Sequence, residues 1–262
     1  MSVNERSVEN KRVGKGSWVW FADMFVHPRR VFSKMASLDS AIWLKPMLVL
    51  TALTILLSLV GGPARALEAQ MGMSQPPEDF IYWSEEQQNQ FFESQQAAQG
   101  PLFITFLPLL GSLVSLWLGW FILGSVLYLL MTFRGSRQPQ GAYLNLVAWA
   151  GLPFALRCLV QIVALLATRR VIDDPGLSGL VSADGGGGTD LLRVLLGMVD
   201  VYALGFAALV LIGAPIISGL KVKNSLWVAG VGILVFVVLA ALPGFIISQI
   251  DGLGTIRPFF IF

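Results

Sequence analysis

Five long apolar runs, at residues 42–62, 102–133, 142–168, 190–218 and 224–249, constrain this chain more than any motif in it. Each approaches or exceeds the roughly 20 residues that cross a ~30 Å hydrocarbon layer as an α-helix. The second is long enough to tilt, or to start as an interfacial turn before Pro108. Composition agrees: hydrophobic residues make up 55%, charged residues only 13%, and mean hydropathy is +0.70, whereas a soluble domain carries about 25% charged residues. The expected fold class is all-α, a polytopic membrane protein with five transmembrane helices in one bundle.

The first long apolar run begins near Ile42, after a polar leader without the short apolar stretch and small-residue cleavage site of a signal peptide. The first span is therefore expected to remain as an anchor. An odd number of spans places the termini on opposite faces. With the N-terminus inside, segments 1–45, 134–140 and 220–223 hold twelve of the eighteen basic residues and four of the sixteen acidic ones. The outer segments then hold four basic and eleven acidic residues. That bias has the sign expected for a cytoplasmic N-terminus and an outer C-terminus. Arg169 and Arg170 run against it, at the outer end of the third span and just before Asp173 and Asp174.

This organisation divides the chain into a disordered cytoplasmic leader (1–17), an amphipathic segment (18–40), the membrane domain (41–250) and a short outer tail (251–262). In the amphipathic segment, Trp18, Trp20, Phe21, Phe25, Val31, Phe32 and Met35 are interspersed with Arg29, Arg30 and Lys34, and Pro28 suits a first helical turn. The composition predicts an interfacial helix on an anionic leaflet. The alternative is a short helix packed under the bundle. Outside, Ser84 followed by Glu85, Glu86 and Gln87, with Gly100 and Pro101 closing the stretch, predicts a capped helix over 85–98. Its Phe91 and Phe92 are expected to rest on the outer rim. The second outer loop, 171–190, is glycine-rich and reads as a flexible linker. It has no lysine and no preceding strand for a phosphate-binding loop.

Little in the sequence supports catalysis. One histidine, His27, and one cysteine, Cys158, do not make a zinc site or a nucleophile triad, and Cys158 lies in an apolar run. No cofactor, no metal and no nucleic-acid partner are expected. The basic residues lie where topology already requires them. Trp18, Trp20, Trp43, Tyr82, Trp83, Tyr143 and Trp227 sit near span ends and read as interfacial anchors.

Charges inside the spans carry the one sharp expectation. Arg157 precedes Arg169 by twelve residues on an outward-running span, ~18 Å below its outer end, and Asp200 follows Asp190 by ten on the next, ~15 Å below the same end. Opposite charges at matched height on antiparallel neighbours are expected to pair, since a lone charge near the bilayer centre costs at least about 2.5–3.5 kcal/mol. Pro153 and Gln161 flank Arg157 at four-residue spacing, giving a polar stripe with a proline kink. Arg193 and Gly197 lie on the Asp200 face of the fourth span, Arg193 ~10 Å further out. The pair is read as a clamp on helix register, with a proton or cation path as the alternative.

Three stretches, "HPRRVFSKMASLDSAIWLKP", "GAYLNLVAWAGLPFALRCLVQIV" and "MVDVYALGFAALVLIGAPIISGLKVKNSLWVAG", resemble the bacterial members of the Yip1 domain family. The resemblance implies a five-helix bundle in the bacterial inner membrane with a cytoplasmic N-terminus. Eukaryotic members are tied to Rab-type GTPases and vesicle traffic, but their Asp-Leu-Tyr-Gly-Pro type motif is missing here, so Rab binding is not carried over. The expected function is a non-enzymatic membrane adaptor or membrane-organising protein whose partners are the lipid bilayer and a membrane or cytoplasmic protein. The alternative is a small permease or an accessory subunit of a transport complex.

Overall fold

The computed structural model describes residues 18–38, 41–71, 80–98, 100–169, 177, 180, 192 and 195–248. The leader, the outer tail, Arg170, Arg193 and nearly all of the 171–190 loop lie outside them. The described residues form nine α-helices: α1 (Trp20–Val26), α2 (Pro28–Ala36), α3 (Leu44–Met71), α4 (Glu85–Ala98), α5 (Leu107–Phe133), α6 (Gln140–Ala150), α7 (Leu152–Thr168), α8 (Val201–Ser218) and α9 (Val222–Ser248). Five stretches are long and apolar enough to span a membrane: Leu44–Leu67, Leu102–Phe133, Gln140–Thr168, Val201–Ser218 and Val222–Leu242. They coincide with the five expected spans. The fourth is shorter than expected, for a reason described below.

The third span is broken into α6 and α7. Pro153 has no N–H, and its ring would clash with the Trp149 carbonyl in a continuous helix. The chain therefore turns at Gly151, and Pro153 falls in the first turn of α7, a break where a kink was expected. Pro108 acts in the same way. A wide helical turn over Leu102–Phe106 leads into α5, whose first turn holds the proline.

Spans are arranged around α6. The helix α3 packs on α7 and α5, α5 on α9, α9 on α8, and α8 back on α7, so the five spans close a ring. Inside it, α6 touches α3, α5 and α8, and Tyr143, Asn145 and Leu146 through Ala150 are all buried. A helix that is apolar on every side belongs in a core. Tyr143 is thus a core residue here, not an interfacial anchor. Its hydroxyl is 2.7 Å from Ser136 Oγ.

The amphipathic segment corrects one expectation. Trp20, Met24, Val31, Phe32 and Met35 are buried, and α2 packs on α8 and α6. Its apolar face meets protein, as in the alternative reading, while Arg29, Arg30 and Lys34 stay exposed. Trp20 and Phe21 pack their rings against Trp149. Pro28 opens α2 as expected. Gly213 makes this docking possible: a Cβ there would stand 3.0 Å from the Phe32 ring and collide with Leu146. Gly213→Val is expected to destabilise the protein by about 1–3 kcal/mol, with faster proteolysis around α2 as the local readout.

The helix α4 forms where its cap predicted. Ser84 N–H donates to Gln87 Oε1 at 3.0 Å and Gln87 N–H donates to Ser84 Oγ at 3.3 Å, a reciprocal capping box. Phe91 and Phe92 join Phe80, and Phe91 also meets Trp83, in a local aromatic cluster. The helix touches the bundle at the turn that leads into α5.

Candidate functional site

Two charged side chains meet inside the bundle. Arg157, in the second turn of α7, places its Nε 3.2 Å from Asp200 Oδ2. The side chains are only 11% and 16% exposed. Around them α7 presents Leu156, Leu159, Val160 and Val163 outward, and α8 presents Val201 and Leu204. The pair therefore lies within the apolar belt, where neither charge is tolerable alone. The structure brings together the two residues that matched height predicts.

Asp200 is not embedded in its helix, however. It has extended backbone geometry and is the N-cap of α8, and its Oδ1 accepts from the Ala203 N–H at 2.7 Å. An aspartate is a favoured cap because its carboxylate satisfies one of the N–H groups that a helix start leaves without an intrahelical partner. The negative charge also faces the positive end of the helix dipole. The carboxylate is kept in the apolar belt because a helix starts there. One oxygen serves that start and the other serves Arg157.

The remaining predicted residues divide. Pro153 is buried against α8 at Gly205, where an added Cβ would lie 3.5 Å from the proline ring. Gln161 is half-buried one turn beyond Arg157. Gly197 is helical but lies in a separate stretch that ends before Asp200 and α8, so it does not share a helix face with the aspartate. Arg193 lies outside the described residues. Of the Arg157 guanidinium, Nη1 is buried and has no hydrogen-bond acceptor. Among the described residues, no group of three or more His, Cys, Asp and Glu is placed to hold a metal.

The family model for the Yip1 domain matches residues 22–244, nearly the whole chain. The chain belongs to the Yip1 family. In this Yip1 domain the match takes in α2, all five spans and both members of the ion pair. No curated protein and no solved structure matches the chain.

Four polar anchors of this Yip1 domain have no counterpart in the sequence reading. Asn145 Oδ1 accepts from the Ile42 and Trp43 N–H groups at 3.0 and 2.9 Å, fixing the start of the first span from α6. The Trp149 indole N–H donates to the Ile42 carbonyl at 3.3 Å. Arg65, assigned by sequence to the outer segment, lies within α3; its Nη2 donates to the Ser58 carbonyl at 2.7 Å and its Nε to the Gly61 carbonyl at 3.3 Å. Ser136 Oγ donates to the Ser218 carbonyl at 2.9 Å. A single asparagine or serine carries no periodic signal that names a partner so distant in sequence.

Proposed function

We propose that this Yip1-family protein is a non-enzymatic integral membrane adaptor or membrane-organising protein of the bacterial inner membrane, with its N-terminus cytoplasmic. The observation that carries this reading is the helix pair α1 and α2, joined at His27. One face is locked into the core through Trp20, Met24, Phe32 and Met35, while Trp18, Val19, Phe25 and Val26 stand exposed beside Arg29, Arg30 and Lys34. A rigidly mounted surface that mixes exposed apolar and basic residues suits an acidic protein partner or the bilayer surface. Its place on the cytoplasmic side follows from the lysine and arginine bias.

The test is a photo-crosslinking residue at the exposed Ser33, in wild type and in an Arg29→Glu, Arg30→Glu, Lys34→Glu variant. A discrete crosslinked partner or lipid is expected, reduced at least about fivefold in the variant, while stability changes by less than about 0.5 kcal/mol because the three positions are exposed. Crosslinks unchanged by the charge reversal would sink the reading. The transport alternative has one observation in its favour, the Arg157 Nη1 that lacks an acceptor. Asp200→Asn separates the two: loss of proton flux into dye-loaded vesicles from a normally folded protein would favour transport.

A further inference from the structure

At one pole of the bundle two short connections run side by side. The first, between α5 and α6, turns at Gly135, which has φ +95°; the second, between α8 and α9, turns at Gly219, which has φ +67°. Positive φ at both turns is a conformation that glycine adopts without strain. A buried hydroxyl network joins the turns. Ser136 Oγ donates to the Ser218 carbonyl at 2.9 Å, Ser218 Oγ lies 3.2 Å from Ser225 Oγ, and the Leu220 N–H donates to Ser218 Oγ at 3.3 Å. Ser136, Ser218 and Ser225 are all buried.

This stitching gathers positive charge. Arg134 and Arg137 lie within two residues of Ser136, and Lys221 and Lys223 lie within three of Ser218 or Ser225. All four are exposed, and among the described residues none is ion-paired. Neither connection contains an acidic residue. The helices α6 and α9 both begin here, and the Pro139 cap of α6 supplies no side-chain hydrogen bond. Two helix starts thus add partial positive charge to four full charges. Phe133, Val222 and Trp227 project from the adjoining turns and are among the most exposed apolar residues of the chain. A positive-inside bias requires cations at this pole, but it does not require them on two hydrogen-bonded turns flanked by exposed rings.

We propose that this two-turn cradle binds the phosphate of an anionic phospholipid, with Phe133, Val222 and Trp227 against its acyl chains. The inference does not rest on the adaptor reading, which concerns α1 and α2. Charge complementarity selects an anionic head group, and the flanking apolar residues select a lipid over a soluble phosphate.

The experiment uses full-length protein reconstituted in phosphatidylcholine vesicles with a minor fraction of phosphatidylglycerol, extracted gently, with co-retained lipid counted by native mass spectrometry. Wild type is expected to retain phosphatidylglycerol in preference to phosphatidylcholine. Replacing Arg134, Arg137, Lys221 and Lys223 with glutamine is expected to lower that retention at least about tenfold, while Arg169→Gln, at an exposed cation that closes the far end of the third span, leaves it within about twofold. Ser136→Ala keeps every charge but cuts the stitch, and is expected to lower retention measurably. An equal loss in Arg169→Gln, or full retention in Ser136→Ala, would reduce the cradle to diffuse surface charge and overturn the proposal. Displacement of the lipid by inorganic phosphate would overturn it as well.

Discussion

Asp200→Ala is expected to cost about 3–5 kcal/mol of folding stability, because it strands the Arg157 guanidinium in the apolar belt and uncaps α8. The two losses are separable. Asp200→Asn keeps an oxygen for the Ala203 N–H and should recover roughly 1 kcal/mol relative to alanine, the size of a cap. Arg157→Leu leaves the carboxylate without its cation and should cost about as much as Asp200→Ala. Combining Arg157→Leu with Asp200→Asn removes both charges and is expected to be less damaging than Arg157→Leu alone, since replacing a buried pair by neutral groups is often close to neutral. Unfolding of the four variants in mixed micelles supplies the cycle. Strict additivity of the two substitutions would mean that the 3.2 Å contact contributes no coupling.

Asn145→Ala is the second large effect. The side chain is 3% exposed and its oxygen holds the two N–H groups of Ile42 and Trp43. Alanine leaves both donors without this acceptor; a fully buried orphan costs about 1–3 kcal/mol, and because these two are only part-buried a combined loss of about 2–4 kcal/mol is expected. Hydrogen exchange localises it: the Ile42 and Trp43 amides should exchange faster while those in the middle of α9 do not. Uniform acceleration across the molecule would show instead that Asn145 acts through general packing.

Much of this architecture is visible in residue patterns. Spans announce themselves by length, and α4 by the Ser84 and Gln87 box, because both signals are local. The Arg157 and Asp200 pairing is readable from chain arithmetic alone, as two expensive charges at one height on adjacent helices. The start of α8 is not, because Met198 and Val199 continue the apolar run and hydropathy outweighs the cap signal that Asp200 carries. The fate of α2 is likewise hidden. An apolar stripe through Val31, Phe32 and Met35 suits lipid and protein equally, and room for it on the bundle is left by Gly213, about 180 positions away. The Asn145 and Ser136 anchors are single polar residues whose partners lie about a hundred and about eighty positions distant, beyond any periodicity.

That docking of α2 on α8 bears on how the protein matures. Residues 28–36 leave the ribosome early, yet the surface that buries Phe32 does not exist until the fourth span has been made and inserted. Until then α2 keeps its aromatic face uncovered by α8. Docking of α2 therefore depends on the fourth span, and a chain that ends before it has no α8 surface on which to bury Phe32.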